Sequence, residues 1–139
     1  MHLEDDSPSH HLQRSDFIRR LIQAPPTSMA PKNQGLSVPR RIVQYWHDLQ
    51  ALPADVQQCM DSWSKWGSIG FEYLVFDARC AASFIEHSLG TDHLRAFRRC
   101  YHPAMQADYF RLCYLFVKGG MYVDADDVCI AKDISELFV

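Results

Sequence analysis

From Pro103 to Lys118 the chain is apolar on nearly every face of a helix. Met105, Tyr109, Phe110, Leu112, Cys113, Leu115, Phe116 and Val117 leave Asp108 and Arg111 as the charges within it ahead of the terminal Lys118. Proline suits the first turn of such a helix, and Gly119 supplies the residue that ends it. A helix without a polar face is expected to be buried, so the rest of the chain must wrap around it. The residues after the helix narrow the choice further. Beyond Gly119-Gly120 comes a short apolar run, Met121-Tyr122-Val123, and then Asp124-Ala125-Asp126-Asp127. Three carboxylates at the mouth of a buried strand repel one another and lose hydration, and a divalent cation with oxygen ligands removes both costs.

The preceding chain supplies the wrapping. Ile42-Val43-Gln44-Tyr45-Trp46 is β-branched and aromatic and reads as a buried strand. Pro53 opens a helix carrying Val56 and Met60 on the helical period to about Trp66, stopped by Gly67 and Gly70. Phe71-Glu72-Tyr73-Leu74-Val75-Phe76 is a second strand. Asp77 can cap a helix from Ala78 to Leu89, with Gly90 beyond it, and Thr91 can cap another holding Leu94 and Phe97. Met121-Tyr122-Val123 is a third strand, and Val128-Cys129-Ile130 is expected to form a further short one. Strands alternating with helices predict an α/β fold with a largely parallel sheet. Ligands in such sheets bind beyond the carboxyl ends of strands, so Trp46 and the acidic motif can face one crevice although about 80 residues separate them.

Residues 1–37 read as a flexible N-terminal tail, with Ser7-Pro8, Pro25-Pro26, Pro31 and Gly35 and few large apolar residues. Ser15 can cap a short amphipathic helix over 16–23, with Phe17, Ile18, Leu21 and Ile22 on one side. Order is expected over 38–139. The formal net charge is −3, from 14 basic and 17 acidic side chains, which argues against a nucleic-acid partner but not against a nucleotide. The five cysteines include no Cys-x-x-Cys pair and are expected to be free, mostly buried thiols of a reducing compartment. Met1-His2-Leu3-Glu4-Asp5-Asp6 has neither the basic nor the apolar part of a secretory signal. No apolar stretch spans a bilayer, so the expected location is cytoplasmic.

Asp124 and Asp126 are the first candidates for chemistry. If strand geometry continues through them, both carboxylates point to one ion, Mn2+ or Mg2+, with water and phosphate completing its shell. The bland alternative is a solvated acidic turn. Asp108 and Arg111 are next. Three residues apart on a helix, they can pair as a buried structural salt bridge, or Arg111 can donate to an anion while Asp108 accepts from sugar hydroxyls. Trp46, flanked by Tyr45 and His47, can stack on a planar base or serve as core. Tyr122 stands beside the acidic motif and can do either. Trp63 and Trp66 read as core, and Arg95, Arg98 and Arg99 as a solvated helix face.

Taken in order, Val38-Pro-Arg-Arg-Ile-Val-Gln-Tyr-Trp-His, Ser62-Trp63, Phe71-Glu-Tyr-Leu-Val-Phe-Asp, Ala107-Asp-Tyr-Phe-Arg-Leu and Gly119-Gly-Met-Tyr-Val-Asp-Ala-Asp form a pattern. Over residues 38–130 the chain resembles the glycosyltransferases with a DXD-containing sugar-binding region. That group includes yeast outer-chain mannosyltransferases, bacterial capsular polysaccharide enzymes and, more remotely, the clostridial glucosylating toxins. The resemblance implies a GT-A-like, Rossmann-like nucleotide-diphospho-sugar transferase fold. It also implies a metal-dependent, retaining transfer of a hexose from a nucleoside-diphosphate sugar to a glycan, lipid-linked or protein acceptor. By the same resemblance Trp46 stacks on the base, and Asp108 and Arg111 grip the donor sugar, with Arg111 also near the diphosphate. Tyr122 then lines the phosphate side, Asp124 contacts ribose or sugar and the ion, and Asp126 ligates the ion directly. Family members continue well past the acidic motif, so the expectation is the N-terminal half of a catalytic domain. That keeps an inactive nucleotide-sugar or metal-binding remnant open as an alternative. A haloacid-dehalogenase-like phosphatase is a third reading, with Asp124 as nucleophile and Asp126 as general acid.

Overall fold

The computed structural model describes residues 37–138 together with Asp16. The chain divides into two units, Met1–Leu36 and Ser37–Val139, and the sheet and its helices belong to the second. The tail expected over 1–37, with its helix over 16–23, falls almost wholly outside the described residues.

Strand β1 (Arg41–Tyr45) lies between β2 (Glu72–Phe76) and β3 (Met121–Tyr122), and both pairings are parallel. Val43 is opposite Leu74 on one side and Tyr122 on the other. Ile42 to Tyr45 are all buried, as expected of a parallel strand covered on both faces. The ladder extends beyond the strand ends, because Trp46 N–H donates to the Phe76 carbonyl at 3.0 Å and Val123 N–H to the Val43 carbonyl at 3.0 Å.

Side chains alternate across β1 and so divide the core. Val43 and Tyr45 face a layer of three helices, α2 (Ala78–Leu89), α3 (Thr91–Arg99) and α4 (Pro103–Lys118), through Ala81, Ile85, Leu94, Phe97, Phe110 and Tyr114. The Phe76 and Phe110 rings lie 4.8 Å apart there, and Phe84 and Tyr114 5.2 Å apart. Ile42 faces the other way, toward Trp66, Phe71, Val123, Ile134 and Phe138. On that side α1 (Ala54–Ser64) buries Val56 and Met60 against Ala125. The helix expected to run from Pro53 to Trp66 ends at Ser64 and continues as a 3-10 turn over Lys65–Ile69.

Four further expectations are corrected. Helix α4 is not buried all round: Phe110, Cys113 and Tyr114 form its inward stripe, while Leu112 is 70% exposed and Phe116 83%. The sheet, α2 and α3 cover only one side of it, and no other described element lies over the rest. Val128-Cys129-Ile130 forms no strand, because the Cys129 N–H is taken by Ser62 Oγ of α1 at 2.7 Å rather than by a sheet neighbour. Thr91 is the first residue of α3, and Gly90 takes the cap position without a side-chain bond. The described cysteines are all free, but only Cys113 and Cys129 are buried, and Cys80 is exposed at the start of α2. Among the described residues no helix is long and apolar enough to cross a membrane.

The turn from α4 into β3 depends on Gly120. Its φ is +100°, and a Cβ there would stand 2.8 Å from Arg41 Cβ and 2.9 Å from the Arg41 carbonyl oxygen. Arg41 itself closes this corner by donating from its guanidinium to the Lys118 carbonyl at 3.0 Å while pairing with Glu72. Gly120→Ala is therefore expected to cost about 2–3 kcal/mol in urea unfolding.

At the start of α2 the Asp77 carboxylate accepts from Cys80 N–H at 2.7 Å, and this bond holds its pKa below the ordinary value. Asp77→Ala should cost about 1 kcal/mol near neutral pH. Because the folded-state pKa is depressed, the stabilisation is present above the unfolded value of about 3.9 and is lost as pH falls through the folded value. Urea titrations of the two proteins should therefore converge in acid.

Candidate functional site

A cleft of about 490 Å³ opens at the carboxyl ends of the strands, between the β1 exit, the first half of α4 and the acidic loop. Trp46, Asp108, Arg111, Tyr122, Asp124 and Asp126 all line it. The fold thus brings these six candidates together, while Asp127, the third carboxylate of the acidic motif, does not line the cleft.

Arg111 is the hub. Its Nη2 donates to Asp108 Oδ1 at 2.9 Å and to Asp124 Oδ1 at 3.1 Å. Its guanidinium carbon lies 4.7 Å from the centre of the Tyr122 ring, a cation–π distance. The pair with Asp108 is not a buried salt bridge: the two side chains are 36% and 70% exposed, on the part of α4 that faces the cleft. Its role cannot be core stabilisation, since exposed pairs contribute little. Burial is the main cause that pushes the Tyr122 hydroxyl well above its ordinary pKa. Asp124 adds to the shift and Arg111 opposes it, so the phenol stays protonated.

Two donors are left over. Arg111 Nε and Trp46 Nε1 are buried without a hydrogen-bond partner among the described residues. Both belong to cleft-lining residues, and an orphaned buried donor costs about 1–3 kcal/mol unless something accepts from it. Trp46 packs at the edge of the Val56, Met60 and Ala125 cluster, with the His47 ring 5.4 Å away.

The acidic motif differs from expectation in backbone. Strand geometry ends before Asp124. The Asp127 N–H donates to the Asp124 carbonyl at 3.1 Å, closing a turn with Ala125 and Asp126 at its centre. Asp124 points toward Arg111 on α4, while Ala125 is buried against α1 and Asp126 is exposed at the cleft. The turn is pinned from outside by Trp63 Nε1, which donates to the Asp127 carbonyl at 2.9 Å, and by the bond between Cys129 N–H and Ser62. Trp63, read from the sequence as core, packs half-buried against the Ile42, Trp66 and Phe71 cluster and also straps this loop.

Among the described residues no three His, Cys, Asp or Glu side chains converge as a metal cage. Two carboxylates alone still suit Mn2+ or Mg2+, which commonly take one or two protein carboxylates and complete their shell with water and phosphate oxygens. Asp126 is free of any protein partner at hydrogen-bond distance among the described contacts, and Asp124 engages Arg111 through one oxygen, so the donor set fits a cation shared with a phosphate ligand.

His102 also lines the cleft and was not singled out from the sequence. Its Nδ1 accepts from Ala104 N–H at 3.1 Å, which caps α4 and leaves the ring proton on Nε2. Its place just before Pro103 was the available signal. Trp63→Phe, which keeps the bulk but removes the donor, should cost about 1 kcal/mol and speed amide exchange over 124–129 while leaving β1 protected.

Residues 53–137 match the family model described as the glycosyltransferase sugar-binding region containing DXD motif. The chain is also 28% identical over 102 residues to the initiation-specific alpha-1,6-mannosyltransferase of Candida albicans (strain SC5314 / ATCC MYA-2876). That match covers 70% of this chain and 26% of the relative, so the chain spans about a quarter of that protein's length. No solved structure matches significantly.

Proposed function

Since the chain belongs to the glycosyltransferase family with a DXD-containing sugar-binding region, we propose that residues 38–139 form the nucleotide-sugar-binding part of a GT-A-type hexosyltransferase domain. The observation that carries this reading is the Asp108–Arg111–Asp124 cluster, stacked on Tyr122 and sharing a cleft with Asp126. Its chemistry suits a ligand that is anionic at one end and polyhydroxylated at the other. Arg111 keeps an unmatched Nε–H for phosphate, Asp108 and Asp124 can accept from sugar hydroxyls, and Trp46 stands at the opposite wall for a base.

Asp126, with Asp124, would hold the Mn2+ or Mg2+ ion, which when bound neutralises the diphosphate charge that grows as the glycosidic bond breaks. The residues of the chain do the rest. Arg111 donates to the departing diphosphate, and Asp108 and Asp124 fix the sugar through its hydroxyls. The electron pair of the C1–O bond leaves with the diphosphate, the acceptor hydroxyl attacks C1, and its proton passes to the departing diphosphate oxygen. Retention of configuration rests on the resemblance alone. Family membership sets aside the phosphatase reading. A nucleotide-sugar- or metal-binding module without turnover is the second reading.

The test is titration of UDP- and GDP-sugars with and without Mn2+, followed by sugar-nucleotide hydrolysis. Metal-dependent binding is expected, and Asp126→Ala should weaken it at least about tenfold. Since Asp126 is exposed, its loss should leave unfolding within about 0.5 kcal/mol of wild type. Binding without hydrolysis would favour the module, and no binding of either nucleotide sugar would defeat both readings.

A further inference from the structure

We propose that Gln44 is the positioning residue of the acidic turn: one buried amide, oriented by Tyr73, fixes the Asp124 backbone and thereby the placement of the Asp124 and Asp126 carboxylates. The inference rests on the donor-site reading for its consequence in binding, though not for its structural content.

Gln44 is fully buried in the middle of β1, where every neighbouring position is apolar or aromatic. An uncompensated amide there would be costly, and an aliphatic side chain would pack more simply. Its two ends are both matched. Nε2 donates to the Asp124 carbonyl at 3.2 Å, and Oε1 accepts from the Tyr73 hydroxyl at 2.7 Å. The order of these bonds has a single solution. A backbone carbonyl can only accept, so the NH2 must face Asp124. The amide oxygen then faces Tyr73, whose single proton must point to it rather than to the more distant Met60 carbonyl at 3.4 Å. Burial pushes the Tyr73 hydroxyl up to about 12, so that proton is retained throughout the physiological range.

The chain of bonds runs from β2 through the middle of β1 to the loop after β3 and so links that loop to the core of the sheet. The Asp124 carbonyl accepts twice, from Gln44 and from Asp127 N–H, so the atom that closes the turn is the same atom held by the core. The turn carries Asp126 at its centre. A shift of that carbonyl therefore moves the exposed carboxylate, although Gln44 itself does not line the cleft. Partners behind ligating side chains typically govern metal affinity by 10–100-fold.

Gln44→Glu preserves the size and the acceptor toward Tyr73 but presents an oxygen to the Asp124 carbonyl. Gln44→Met removes both bonds. Tyr73→Phe removes only the group that orients the amide. Ile85→Ala, in the core on the opposite face of the sheet, serves as a destabilised control. Amide exchange of the metal-free full chain, followed residue by residue, should accelerate over 124–127 in the Gln44 and Tyr73 variants more than in Ile85→Ala at matched melting temperature. Mn2+ affinity in the presence of UDP or GDP, read by water-proton relaxation, should fall by about 10–100-fold in Gln44→Glu, less in Tyr73→Phe and not in Ile85→Ala.

Wild-type exchange over 124–127 in the folded variants, or wild-type Mn2+ affinity in Gln44→Glu, overturns the proposal. If the Gln44 variants do not fold, Tyr73→Phe decides it alone, and unchanged exchange over 124–127 sinks it. If the wild-type chain binds no Mn2+ with either nucleotide while exchange still depends on Gln44, the donor-site reading fails and the positioning role stands.

Discussion

The structure depends on β1 being paired on both edges and covered on both faces. A strand in that position has no freedom of register, because a slip by one residue would exchange Val43 and Tyr45 with Ile42 and Gln44 across the sheet. The register Val43 to Tyr122 in turn decides where β3 stops. It sends Tyr122 and Asp124 toward α4, and Val123 and Ala125 toward α1. The cleft is a consequence of this choice, since its polar wall is the set of side chains that the register directs to the α4 side.

Electrostatics at the cleft are unfinished in a physical sense. Arg111 holds two carboxylates at once, yet Asp126 and Asp127 remain exposed beside them and bring the local balance to a surplus of negative charge. At the same time Arg111 Nε and Trp46 Nε1 lack acceptors among the described residues. Surplus anions beside unmatched donors describe a site suited to a cation and an anionic, hydrogen-bonding ligand together, and a metal-bound nucleoside diphosphate combines the two.

Much of this was legible in the chain. The α4 start at Pro103, the Asp77 cap and the span of α2 obey local rules that hold regardless of tertiary context. Strand–helix alternation placed Trp46 and the acidic motif at one crevice, and the family resemblance added Asp108, Arg111 and Tyr122 to it. The errors share one origin. The exposure of Leu112 and Phe116, the absent strand at 128–130 and the turn at Asp124 all depend on which element covers or pins a segment, and hydrophobic pattern does not report that. Trp63 packs against the core as its bulk suggests, but the bond from its N–H to the loop has no sequence signature.

The sequence by itself determined the local elements, the alternation that makes a parallel sheet, and the chemical types available to a cation and a sugar nucleotide. These depend on periodicity, capping and side-chain chemistry, which are properties of short stretches. Only the tertiary structure decided that Arg111 reaches across to Asp124, that Trp63 and Ser62 pin the acidic loop, and that Gln44 grips the Asp124 carbonyl from inside the core. Each of these is a hydrogen bond between groups far apart along the chain, the last joining residues 80 positions apart. Such bonds have no local pattern because their geometry exists only once the strands are in register.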